Sequence, residues 1–161
     1  MNAKALAVQF QFTHFVFNRN LDGITHEESI QLPPSGNCLN WVAGHITATR
    51  DSILGILGES PVWTFPNKDS YTRGSTPWKN GQEAERLEKI REKFEESQKK
   101  LSAKILSLDS ALLLSPVPAE KNAFGVDNMG ELLATFAFHE SYHVGQTGIL
   151  RRLVGKEGAI K

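Results

Sequence analysis

The sequence contains a single cysteine, Cys38, in 161 residues. That excludes an internal disulfide framework and any zinc or iron–sulfur site built on thiolates, and it makes a reducing compartment the default reading. Excess charge is also missing. Lys and Arg total 18 and Asp and Glu total 18, so no global field draws the chain to nucleic acid or an anionic bilayer. No run approaches the ~18 to 20 uninterrupted apolar residues of a membrane span. Gln9, Gln11 and His14 interrupt the weakly apolar start before a signal-peptide core is complete. These absences give the expectation of a cytoplasmic protein with neither nucleic acid nor membrane as partner. Alternating strand patterns, repeats and low-complexity segments are missing as well.

What is present is ordinary for a folded globular chain: 40% hydrophobic and 22% charged residues. The length fits one domain over residues 1–161 and suffices to bury roughly 70% of the unfolded surface. Four segments carry helical periodicity. The first, about residues 2 to 21, places Leu6, Phe10, Thr13 or His14, and Phe17 at spacings of three and four, with Phe12, Phe15 and Val16 off that stripe. A helix apolar on more than one side suggests a partner subunit. The second runs from about Leu39 to Leu57, with Asn37 or Ser35 as N-cap and Gly58 as terminator. Its stripe is Val42, His45/Ile46, Thr49, Ile53 and Ile56/Leu57.

Between Gly58 and Gly81 lies a long, proline-interrupted loop whose aromatics, Trp63, Phe65, Tyr71 and Trp78, imply packing back onto the body. The third helix, about Gln82 to Leu108, has one apolar face and a charged remainder with Glu85–Lys89, Glu95–Lys99 and Glu96–Lys100 at i,i+4, a solvated surface. The fourth starts near Asn128, where Glu131 can close a capping box, and ends before Gly155. The expectation is an all-α four-helix bundle with long connections, of crossover or hairpin type.

The chemistry lies on the fourth helix. Leu132, Phe136, His139, His143, Gln146, Leu150 and Leu153 follow the core spacing, so two imidazoles and an amide occupy a seam. His139 and His143 are one turn apart and can reach one ion over that face. His45 on the inward stripe of helix two completes a facial set of three neutral donors from two helices. The run His139-Glu140-Ser141-Tyr142-His143 also fits the zincin pattern H-E-x-x-H. It lacks the further ligand, because Gln146 and Ile149 stand where a metzincin needs Gly and His. There is also no sheet to align a peptide, and proteolysis is disfavoured.

Asn40-Trp41-Val42-Ala43-Gly44-His45-Ile46, Phe138-His139-Glu140-Ser141-Tyr142-His143-Val144-Gly145-Gln146 and the ending Leu150-Arg151-Arg152-Leu153-Val154-Gly155-Lys156 resemble the DinB-like family of metal-dependent four-helix-bundle proteins. The likeness in helix count and order covers essentially the whole chain. It implies a metal held by His45, His139 and His143. It further implies homodimers and, in some relatives, transfer or isomerisation with a low-molecular-weight thiol such as bacillithiol, mycothiol or glutathione acting on a small electrophile. A metal-dependent transferase or hydrolase is the leading expectation. The alternative is a non-catalytic, stress-related dimeric bundle that binds metal or a small ligand. Zinc or nickel is favoured, with iron or manganese compatible with imidazole ligands.

Gln146 and Thr49, each one turn beyond a histidine, are expected to support a ligand ring or meet substrate, and Trp41 to line the pocket mouth. His14 reads as a satisfied core histidine and His26 as a solvated one. Cys38 is assigned no role. Gly145 and Gly148 read as sites of close helix approach. No catalytic side chain is named beyond the metal set.

Overall fold

The computed structural model describes residues 2–75, 78, 84–122 and 124–160. Its helices are α1 (Ala3–Leu21), α2 (His26–Ser29), α3 (Leu39–Ile56), α4 (Leu87–Leu106), α5 (Ser110–Leu113) and α6 (Met129–Leu153), with single 3₁₀ turns at Lys68–Tyr71 and Ala119–Lys121. Among the described residues there is no strand, only an isolated bridge between Pro116 and Asn128. The fold is all-α, and its four long helices are the four that the periodicity predicts. No helix among the described residues is long and apolar enough to cross a membrane.

Helix ends follow local chemistry. Asn2 accepts the Ala5 N–H at 2.8 Å, and Asn128 accepts that of Glu131 at 3.0 Å. Glu131 reaches back to the Asn128 amide and the Asp127 N–H rather than to the Asn128 backbone. Gly58 and Gly155 stop α3 and α6 with φ of +78° and +83°, where a side chain would be strained. The N-cap of α3 is Cys38, not Asn37 or Ser35, and its side chain makes no capping bond. Gln82, the predicted start of the third helix, lies outside the described residues. The described helix begins at Leu87 and ends two residues short of Leu108.

Each long helix packs against two others, in the cyclic order α1, α4, α3, α6. Helices consecutive in sequence, α1 with α3 and α4 with α6, therefore lie across the diagonal, which decides for crossover connections. Thr13 meets Glu140 while Asn20 meets Val144 and Thr147, so α1 and α6 run parallel. Asn40 reaches Glu85 while Arg50 reaches Ser97, so α3 and α4 also run parallel. Parallel neighbours force the chain to travel back along all of α3, about 27 Å at 1.5 Å per residue, before α4 can start. This is why the connection is long. The Asp51 carboxylate pins it by accepting from the backbone N–H of Val62 (2.6 Å) and Trp63 (3.0 Å) and from Lys68 Nζ (3.0 Å). Trp63, Tyr71 and Trp78 are buried.

The bundle axis follows the predicted seams in part. On α3 the predicted Val42, His45, Ile46, Ile53 and Leu57 are buried, with Thr49 and Ile56 half-buried. On α6 Leu132 and Leu150 of the predicted seam are buried beside Leu133, Ala137, Glu140, Val144 and Thr147, whereas Leu153 is exposed and Phe136, His139, His143 and Gln146 are half-buried. The middle of the α6 seam stands off the axis because polar residues occupy it. Arg50, fully buried, donates from Nε to Glu140 Oε2 (2.7 Å) and from Nη2 to Oε1 (2.8 Å). Its guanidinium lies 3.8 Å over the Phe94 ring and approaches Ser97 Oγ and the Phe10 carbonyl. Thr13 donates to the same carboxylate. All four long helices meet at this buried ion pair.

Candidate metal centre

The histidines line a cleft between α3, α6 and the long connection. His45 projects from α3, and its Nδ1 lies 2.7 Å from the Tyr71 carbonyl. A carbonyl only accepts, so Nδ1 carries the proton and Nε2 keeps a free lone pair. His143 on α6 has its Nδ1 2.7 Å from Gln146 Oε1, which likewise leaves Nε2 free. His139 Nε2 is 3.3 Å from His45 Nε2. Ligand atoms of the three rings all lie within 4.8 Å of one another. Two imidazoles about 2.05 Å from one tetrahedral ion stand about 3.3 Å apart, so the His45–His139 spacing suits a shared ion. His139 Nδ1 is buried without a hydrogen-bond partner, and its ring makes edge contacts with the other two. An ordinary core histidine would have a partner of its own. The group can therefore hold a metal ion.

Electrostatics supports the same use. Burial, together with the neighbouring imidazoles and Arg73, holds His139 down to about 4. Burial also lowers His45 and His143, only partly opposed by their hydrogen bonds to Tyr71 and Gln146. All three rings are thus neutral at pH 7, with lone pairs available.

The supporting shell explains the sequence around His45 residue by residue. Trp41 stacks on the His45 ring, centroids 4.8 Å apart and planes 9° from parallel, and its Nε1–H donates to the Ser70 carbonyl at 2.8 Å. Asn40 accepts from Tyr71 Oη (3.0 Å) and donates to the Glu85 carbonyl (2.9 Å). Tyr71 Oη accepts the Glu85 N–H at 2.7 Å. Gly44 lies under the Tyr71 ring, where any Cβ would fall 2.9 Å from Cγ and closer still to Cδ1 and Cε1. Asn40, Gly44 and Tyr71 thereby place the carbonyl that orients His45.

Thr49 lines the cleft without touching a ligand ring. Glu140, the would-be zincin base, faces away from the histidines into the Arg50 pair. His14 bonds Glu95 at 2.8 Å and stacks on Phe94, remote from the centre. Glu95 is thus used by α1 rather than by Lys99, whereas Glu85–Lys89 and Glu96–Lys100 form at 3.5 Å. His26 accepts the Leu87 N–H at 3.4 Å. Burial raises the Cys38 thiol, which disfavours a nucleophilic thiolate. Gly148 abuts Asn20, whose Nδ2 would stand 3.3 Å from a Cβ added there, but Gly145 faces open space. Sequence reasoning missed Asn40, Arg50 and Tyr71. The one available signal was an arginine at helical spacing from Ala43, Ile46 and Leu54.

Comparison with known proteins agrees with this architecture. A conserved protein from Enterococcus faecalis of known crystal structure superposes with a TM-score of 0.72 at 16% identity, covering 96% of this chain and 98% of that one. No curated protein matches. The family profile described as the DinB superfamily matches residues 9–147, and the chain belongs to that superfamily.

Proposed function

We propose that His45, His139 and His143 bind a divalent metal ion, zinc or nickel before iron or manganese, and that the protein is a metal-dependent enzyme joining a low-molecular-weight thiol to a small electrophile. The observation that supports this most directly is the convergence of the three rings on the wall of an open cleft of about 1320 Å³. An ion held from one side keeps positions facing that cleft, unlike a closed structural site.

When bound, such an ion supplies Lewis acidity, lowering the pKa of a thiol or polarising an electrophile. The chain does the rest. Tyr71 and Gln146 fix the tautomers of His45 and His143 and point Nε2 into the cleft. Trp41 shields one face of His45. Phe136, Ile149 and Leu150 give the cleft an apolar wall against which the carbon body of a substrate can displace water. Three neutral ligands leave the ion's charge uncompensated, which favours an anionic nucleophile such as a thiolate.

We further propose a homodimer. Phe12 (66% exposed) and Phe15 (56%) on α1 and Phe138 (73%) on α6 stand in solvent near the level where Thr13 meets Glu140. Exposed aromatics on neighbouring parallel helices are the composition expected of an interface. Light scattering should give twice the chain mass, and Phe15→Asp should shift it to one.

Elemental analysis of the purified protein and its three His→Ala variants tests the centre. About one ion per chain is expected in the wild type and a marked loss in every variant. Turnover of an electrophile such as 1-chloro-2,4-dinitrobenzene or monobromobimane with bacillithiol, mycothiol or glutathione tests the reaction. A metal-loaded protein inert with all three thiols would leave only a binding role.

A further inference from the structure

The cleft wall carries a one-sided charge. Lys68, Arg73 and Lys121 line it, and among the described residues no Asp or Glu does. A chain with equal numbers of acidic and basic residues has no general reason to present one sign in this cleft. The three cations differ in their commitments. Lys68 is paired with buried Asp51 at 3.0 Å. Arg73 and Lys121 have exposed side chains with no ion pair or hydrogen bond to any described residue. They reach the cleft from separate connections, Arg73 just after the 3₁₀ turn that carries Tyr71 and Lys121 at the end of the second such turn. The acidic neighbours Asp69 and Glu120 are exposed and do not line the cleft.

The wall also carries apolar residues: Phe124, three residues after Lys121, Phe136 one turn before His139 on α6, and Ile149 and Leu153 beyond His143. Phe124 and Phe136 pack edge to face at 5.3 Å. Ile149 and Leu153 are 59% and 58% exposed, which leaves their apolar surface open to a ligand. Arg73 is close enough to the centre for its charge to act on the His139 ring. A ligand reaching from Lys121 past Phe124 and Phe136 to the rings thus meets positive charge at one end and hydrocarbon along its body.

We propose that this cleft selects a small organic anion with an apolar body, its negative group held by Arg73 and Lys121 and its body laid along Phe124 and Phe136 toward His139. This rests on the reading of the cleft as the reaction chamber and adds the charge class of what enters it. Arg73 is the specificity-determining residue and Lys121 the second cation. A guanidinium fork suits a planar carboxylate, and an unpaired cation loses no existing interaction when an anion arrives.

The test uses trans-cinnamate and its neutral isostere cinnamamide, titrated calorimetrically into the full chain, zinc-loaded and zinc-free. Cinnamate should bind about tenfold more tightly than cinnamamide at low ionic strength, the scale of two partly exposed charge pairs. That preference should shrink severalfold in 0.5 M salt, where the screening length falls to a few ångströms. Arg73→Gln with Lys121→Gln should abolish it while leaving the thermal midpoint unchanged, since neither side chain has an ion pair or hydrogen bond among the described residues. His45→Ala should lose zinc and keep the preference. Equal binding of the two probes by the zinc-free wild type, or a preference that survives in the double variant, overturns the proposal. Failure of the wild type to bind zinc would instead count against the metal centre, so the two readings fail separately.

Discussion

Gly44→Ala is the sharpest test of how the fold positions the centre. In an exposed helix the change would stabilise by about 1 kcal/mol, because Ala exceeds Gly in helix propensity by that much. At Gly44 the new methyl would lie 2.9 Å from Tyr71 Cγ and deeper inside contact distance of the ring edge. Tyr71 cannot yield locally. It is fully buried, bonded through Oη to Asn40 and Glu85, and met edge-on by Trp63 and Trp78 at 5.0 Å each. Overpacking of this kind costs about 1 to 3 kcal/mol, so the net change should be about 0 to 2 kcal/mol destabilising. The larger effect should fall on the metal. Displacing Tyr71 moves the carbonyl that orients His45, and losing such support typically weakens binding by about 10- to 100-fold. Gly145→Ala is the control on the same footing, since a Cβ there meets nothing within 4 Å. It should gain up to about 1 kcal/mol and leave metal affinity unchanged. Urea denaturation of both variants and zinc titration with a competing chelator provide the readouts. Wild-type zinc affinity in Gly44→Ala would refute the reasoning.

Gln146→Leu removes the acceptor that fixes the His143 tautomer and should lower metal affinity by about 10- to 100-fold with little change in stability, as measured by chelator competition. The depressed pKa values set the pH response. Rings at the ordinary value of 6.5 would shed about 0.7 proton in total on binding an ion at pH 7. With His139 near 4 and the other two lowered, release should be smaller than that. Affinity should begin to decline at a lower pH than for three ordinary imidazoles, as protons start to compete; calorimetry in buffers of different ionisation enthalpy measures the release. Arg50→Met strands the Glu140 carboxylate and should cost about 3 to 5 kcal/mol, whereas replacing both residues with apolar ones should recover most of that loss in chemical denaturation.

The three-histidine group was legible because His139 and His143 share a helix, where a four-residue spacing fixes their proximity, and His45 falls on a stripe with Val42 and Thr49. The number of long helices was legible for the same reason. What the spacing missed was the polar core at the middle of the bundle, where α6 turns Glu140 rather than its histidines inward. Apolar spacing turns the histidine edges toward the core, since arginine and glutamate are seldom fully buried, yet Arg50 and Glu140 occupy the axis as a mutually satisfied pair. Tyr71 was invisible as a supporting residue. Its role depends on a backbone carbonyl brought to His45 by the long connection between parallel helices, and no periodicity encodes that approach. Glu95 shows the same limit on a smaller scale: its i,i+4 partner Lys99 was evident, but its bonds to His14 and Asn18 come from another helix.

The position of Glu140 between His139 and His143 links the structural axis to the cleft. Adjacent residues of an α-helix differ by about 100° in direction, so anchoring Glu140 on the bundle axis turns both histidines to one side of it. The anchor is bidentate from Arg50, a residue of α3, and α3 is also the helix that carries His45. The same contact therefore sets the rotation of α6 and registers it against the third ring. An apolar residue at position 140 could fill the axis but would leave α6 free to turn by small angles, because dispersion contacts lack direction. A guanidinium–carboxylate fork does not allow that freedom without breaking its hydrogen bonds. On this account the H-E-x-x-H pattern arises without protease chemistry: its histidines face the cleft, and its glutamate faces the interior that holds them there.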